Sequence, residues 1–213
     1  MLQKITVKNF KSLKDISVEM SHLNLFTGMN GMGKSSLIQV FLLLRQSFVS
    51  KHENKLFLNG NLVEIGSVKD AVCESRSDNK LYFELEYKNK NTVKNTGFVF
   101  EYNKTTDDFF ILKNKIKINE LPILHSNTFQ YLNAERVGPR KYNQTNFNEI
   151  NKQQIGNQGE YSIHYLFENK DNDIPVKQLA KEIIPPNQDI DNVQNDYSLI
   201  SQLEAWLSEI SPD

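Results

Sequence analysis

Nine residues constrain this chain more than any others: Gly28-Met29-Asn30-Gly31-Met32-Gly33-Lys34-Ser35-Ser36. They satisfy the pattern G-x-x-x-x-G-K-[ST] in full. An apolar stretch precedes them (Leu23, Leu25, Phe26), and apolar residues at helical spacing follow (Leu37, Ile38, Phe41, Leu42, Leu44). Each position has a physical task. Glycines reach backbone angles closed to other residues and let the main chain lie close to an anion. Successive N–H groups then point inward as a nest, backed by the positive end of a helix that begins near Lys34. Lys34 supplies a point charge for the β- and γ-phosphates, Ser35 a hydroxyl for Mg²⁺, and Ser36 a second hydroxyl at the helix start. Gly28, Asn30, Gly31, Gly33, Lys34, Ser35 and Ser36 are therefore the candidate ligands of ATP, with Lys34 also the candidate catalytic cation. A side chain at Gly33 is expected to obstruct the phosphates while leaving the fold intact.

Apolar periodicity places the loop in an α/β setting. Residues 2–10 alternate as a half-buried strand, and 16–20 repeat the pattern after a turn at Lys14-Asp15. Residues 22–27 are apolar on both faces, as a central strand is. Helical spacing then runs from Lys34 to about Val49. An antiparallel meander is expected next, with a hairpin turn at Asn59-Gly60-Asn61 inside 56–65 and strands at 81–87, 97–102 and 109–118. A last short strand is expected at 129–133, then a mobile, Asn/Gln-rich loop over 141–158. Helices are expected at 160–167, 176–183 and 199–210, the second broken by Pro185-Pro186. The expected organisation is a nucleotide-binding core over 1–140, followed over 141–213 by the loop and a helical segment.

Composition excludes several classes. The 213 residues carry a net charge of -1, which gives no global basic field for nucleic acid. A single cysteine, Cys73, excludes an intramolecular disulfide framework and a cysteine-rich zinc site. The four histidines (His22, His52, His125, His164) are dispersed, with no partners at metal-ligand spacing. The N-terminus has no secretory apolar region, and the longest apolar run, 40–44, is far short of the roughly 20 residues of a membrane span. The expectation is a cytoplasmic protein without a membrane partner. Lysines 113, 115 and 117 fall on one strand face, where they either touch a phosphate backbone or form a solvated edge.

Further stretches carry a family resemblance. Ile5-Thr6-Val7-Lys8-Asn9-Phe10-Lys11-Ser12-Leu13, followed by Thr27 to Ser36, resembles the SMC/RecF-like branch of the ABC-type ATPases. Leu42-Leu43-Leu44-Arg45-Gln46-Ser47, the stretch LNAERVGPR over 132–140, and Gly159-Glu160-Tyr161 look closest to bacterial AAA-family ATPases related to the overcoming-lysogenisation-defect proteins. The resemblance implies a P-loop NTPase core lobe of ABC/SMC type with an antiparallel β-subdomain and the start of a helical lobe. It also implies Mg²⁺-dependent ATP hydrolysis driving a dimerisation switch. DNA or a nuclease is a partner that the resemblance admits.

Such ATPases also carry a Ser-Gly-Gly signature loop and a Walker B strand of four apolar residues ending in Asp-Glu. This sequence contains neither. The chain is thus expected to be the N-terminal part of a larger ATPase, with a C-terminal half or second protomer completing the site. Lys11 stands where related ATPases place a basic residue near the nucleotide; the alternative is a solvated lysine after the first strand. Glu135 is the second candidate catalytic residue: with Arg136 and Arg140 it occupies a Q-loop-like position, where a polar group orders Mg²⁺ or water. The alternative there is a turn capped by Gly138-Pro139, with Arg136 in a structural ion pair. The competing function is an ATP-sensing, DNA-associated module without significant turnover. A small-molecule kinase is disfavoured because a meander stands where βαβ repeats would.

Overall fold

Period-two alternation along the first half of the chain builds one antiparallel sheet that is apolar on a single face. The computed structural model describes residues 1–49, 54–76, 78–89, 92–102, 107–114, 129–182 and 195–211. These fall into two compact units, Met1–Phe129 and Gln130–Asp213.

In the first unit, β1 (Leu2–Phe10), β2 (Leu13–Glu19), β3 (Lys55–Phe57), β4 (Lys80–Asn89), β5 (Thr92–Glu101) and β6 (Phe109–Leu112) form a six-stranded sheet. Its order is β2-β1-β4-β5-β6-β3, and every pairing is antiparallel. Register lines up the apolar residues across strands: Val7 opposite Phe83 opposite Phe98, and Leu81 opposite Phe100 opposite Leu112. All six are buried. The other face of β1 is polar: Lys8 and Asp15 form an ion pair at 2.8 Å, and the hydroxyls of Thr6 and Ser17 meet at 3.0 Å. Such one-sided patterning is what an antiparallel sheet with one solvated face requires.

Helix α1 (Lys34–Val49) closes the apolar face with Leu37, Val40, Leu43, Leu44 and Phe48. Phe48 stacks on Phe98 at 5.6 Å, Phe98 stacks on Phe100 at 5.9 Å, and Phe83 meets Phe100 edge-on at 5.7 Å. Two polar residues of α1 hold the 57–63 turn. Buried Ser47 accepts a hydrogen bond from the Phe57 amide. Gln46 donates to the carbonyls of Phe57 and Val63 and accepts from the amides of Leu62 and Val63. The expected turn around Gly60 is present, closed by Gly60 N–H to Val63 C=O at 3.0 Å. A short helix α2 (Val68–Ala71) follows.

Four sequence expectations for these elements need correction. The β1–β2 turn lies at Lys11-Ser12, and Lys14 and Asp15 are already in β2. Residues 22–27 form no strand: Leu23 and Leu25 are 87% and 86% exposed, and an Asn24–Ser21 hydrogen-bonded turn leads into the glycine loop. An apolar run makes a strand only where a neighbour supplies a ladder, and none does among the described residues. Residues 129–133 are likewise not a strand, and in place of the helix expected over 176–183 there is one 3₁₀ turn, Lys177–Leu179. Position 183 and the lysines 115 and 117 lie outside the described residues; Lys113 pairs with Glu101 at 2.9 Å.

The second unit contains helices Phe147–Asn151, Ser162–Asn169 and Leu199–Ile210. The 141–158 stretch, expected as a loop, thus contains a helix of its own. Asn146 caps it by accepting from the Glu149 amide, and buried His164 accepts from the Asn146 amide through Nδ1 while Phe147 meets its ring edge-on. A cap and the contacts with buried His164 order a segment that composition alone marks as loop.

Candidate functional site

The glycine loop has the backbone its sequence demands. Gly28, Gly31 and Gly33 all adopt positive φ, at 135°, 82° and 87°. At Gly28 and Gly31 a Cβ would meet nothing within 4 Å, so these glycines serve conformation and open space. Gly33 is different. It is buried, and a Cβ there would overlap Leu13 Cδ2 and stand 3.0 Å from Ser12 Oγ. The loop therefore rests on the β1–β2 turn, and a side chain at Gly33 damages the packing as well as any phosphate site, contrary to the expectation of an intact fold.

Helix α1 begins at Lys34, with the first helical bond running from the Leu37 amide to the Gly33 carbonyl at 3.0 Å. Its first turn contains no acidic residue, so nothing on the helix neutralises its positive end. Lys34 Nζ donates to the carbonyl oxygens of Gly28 and Met29, both at 2.7 Å, so the side chain folds back over the loop it terminates. Ser35 is exposed, and Ser36 is buried at the base of the helix. Asn30, Met29 and Met32 are exposed on the loop. Positive-φ glycines, a helix terminus and an ammonium thus stand together in one exposed loop, a combination whose chemistry suits an anion such as phosphate.

Lys11 contacts the helix that the glycine loop feeds. Its Nζ donates to Gln39 Oε1 at 2.9 Å, and Gln39 stands one turn beyond Ser35 on the same helix. Partial burial holds the Lys11 ammonium below the ordinary lysine range, while the Asp70 carboxylate acts in the opposite sense. Sequence reasoning missed Ser12 and Leu13 as the neighbours of Gly33 and Gln39 as the partner of Lys11, contacts that exist only because the sheet and α1 bring them together. Glu135, Arg136 and Arg140 belong to the second unit and are exposed. Their stretch is tied to the loop before helix Ser162–Asn169: Asn133 N–H donates to Asn157 C=O at 2.8 Å and Val137 N–H to Gln158 C=O at 3.0 Å. Gln130, expected on a strand, instead donates to Gly156 C=O and accepts from the Ile155 amide. Two stretches singled out separately in the sequence are therefore hydrogen-bonded neighbours.

The glycine loop, the helix it feeds and the lysine folded across it define a protein of the P-loop NTPase class. Residues 1–209 match the AAA ATPase domain family, and the chain belongs to that family. Membership brings nucleotide binding with it. No curated protein matches the chain. Among the described residues no helix is long and apolar enough to cross a membrane.

Proposed function

We propose that the chain binds Mg·ATP through Gly28 to Ser36 and forms the nucleotide-binding part of an SMC/RecF-like ATPase. The observation that carries this reading is the loop itself, with three left-handed glycines, an uncompensated helix terminus and Lys34 arched over its first carbonyls. Backbone N–H groups from Gly31 to Ser35 hold the β-phosphate, and Lys34 exchanges its two carbonyl partners for phosphate oxygens. The hard hydroxyl oxygen of Ser35, exposed at the helix start, fits Mg²⁺, which when bound offsets charge on the phosphates. Lys11, beside Gln39, adds a second cation on the Ser35 side of α1.

Hydrolysis needs a group that orders the attacking water and a carboxylate for the metal. Glu135 is the candidate within this sequence. The Walker B carboxylates and the signature loop come from residues this sequence does not contain, in a C-terminal half or second protomer.

Titration with a fluorescent ATP analogue, with and without Mg²⁺, tests the binding claim. Lys34→Ala removes a charge-assisted contact worth about 1.5–3 kcal/mol, a loss of roughly 10- to 150-fold in affinity. Equal affinity of wild type and Lys34→Ala would refute the reading.

A further inference from the structure

Two non-glycine residues at the end of β1 adopt left-handed backbone, Asn9 at φ 63° and Lys11 at φ 49°, on either side of fully buried Phe10. Lysine has no local hydrogen bond that favours this conformation, so the surroundings impose it. The restraints are specific. Asn9 is 4% exposed, and its Nδ2 donates to Asp78 Oδ1 at 2.9 Å and to the Lys80 carbonyl at 3.0 Å. Its carbonyl accepts from the Cys73 amide at 2.9 Å, and the Lys11 amide donates to the Ala71 carbonyl at 2.8 Å. Asp78 is itself held, through Lys80 N–H and the Tyr82 hydroxyl. The turn so fixed is the one that presents Lys11 to Gln39 and sets Ser12 and Leu13 against Gly33.

We propose that Asn9 is a positioning residue for the nucleotide site: locked to Asp78 and Lys80, it holds the Lys11-Ser12 turn as a buttress beneath Gly33 and aims Lys11 along the Ser35 side of α1. This rests on the reading of Gly28 to Ser36 as the ATP site. Asn9 touches no phosphate. It acts through the turn, by keeping the glycine loop in its binding shape before nucleotide arrives.

Asn9→Gly separates the two roles of the residue, because glycine keeps the left-handed backbone and loses both side-chain hydrogen bonds. The experiment measures the Kd of a fluorescent ATP analogue together with amide hydrogen exchange. The expected result is a rise in Kd of about 10-fold, the order of one misplaced charged contact. Exchange is expected to quicken at residues 9–13 and 28–35 while residues 81–87 keep their protection. Asp78→Ala, which removes the acceptor from the other side, is expected to reproduce both effects. An unchanged Kd in both variants, with Lys34→Ala still weakened, overturns the role of Asn9 alone. Faster exchange across 81–87 in step with the loss of affinity also overturns it, since Asn9 would then be supporting the whole sheet. If Lys34→Ala binds as well as wild type, the ATP site itself is refuted and this proposal falls with it.

Discussion

Gly33 lies directly on Leu13: a Cβ at Gly33 would overlap the Leu13 Cδ2 methyl, and Leu13 is a buried member of the core. The last glycine of the loop and the first residue of β2 are one packing unit. Substitutions within the loop should therefore divide into two kinds. Gly31→Ala meets open space and incurs only the left-handed penalty, roughly 1–2 kcal/mol. Gly33→Ala adds overpacking of about 1–3 kcal/mol to that penalty. Urea denaturation should show Gly33→Ala as clearly the less stable, while ATP titration shows both weakened. Equal stability of the two would mean that the β1–β2 turn yields freely.

Gln46 is expected to matter for stability and not for nucleotide. It satisfies four backbone groups of the 57–63 turn. Gln46→Ala leaves part-buried donors and acceptors without partners, at a cost of about 2 kcal/mol. Twelve residues separate it from Lys34, roughly 18 Å along α1 at the rise of an α-helix. The midpoint of urea unfolding should fall with the m-value unchanged, and the Kd for ATP should stay at the wild-type value.

Asp70 provides a test in pH. The Ser67 hydroxyl and then the Ser67 amide, both donating to Oδ2, hold the Asp70 carboxyl below the usual carboxylate range. A depressed folded-state value means the ionised form favours the fold. Its contribution is complete above the unfolded-state value of about 3.9 and is lost as pH falls through the lower folded-state value. The stability difference between wild type and Asp70→Asn should be largest near neutral pH and shrink below about pH 4. A difference that stays constant from neutral pH to pH 3 would show that the charge contributes nothing.

The 213-residue chain by itself should turn ATP over slowly or not at all. Binding substrate and transition state equally well does not accelerate the chemical step, and Lys34 with the amide nest acts on the ground state as well. Phosphate release at saturating Mg·ATP should stay below about 1 s⁻¹, the low end of ordinary enzymes. Lys34→Ala serves as the control for contaminating activity. Faster release that vanished in that variant would assign the missing role to Glu135 or another carboxylate of this chain.

The elements that sequence predicts well here are those whose stabilising partners lie within the element or one strand away. Apolar residues at helical spacing (Leu37, Ile38, Phe41, Leu42, Leu44) announce α1, although Ile38 is exposed and Val40, Leu43 and Phe48 complete the buried face, and Leu81, Phe83, Leu85 and Tyr87 announce β4, because their spacing is the period of the structure. The helix Leu199–Ile210 was legible for the same reason. Residues 22–27 and 129–133 read as strands from their apolar content and are not, because a strand also needs a neighbour, and composition says nothing about neighbours. The helix at Phe147–Asn151 was hidden for the converse reason. Its support is an Asn146 cap and the ring of His164, a contact 18 residues away in the chain.

By itself the sequence determined the conformation of the glycine loop, since glycines at 28, 31 and 33 followed by Lys34 and Ser35 encode the left-handed backbone and the helix start locally. Only the tertiary structure decided what stands around that loop. Gln39 meets Lys11 across 28 residues of chain, and Asn9 reaches Asp78 across 69. Gly33 rests on Leu13 although neither residue type suggests the other. Local backbone preference is written residue by residue, whereas packing between β1, β2 and α1 depends on how the whole sheet closes its apolar face.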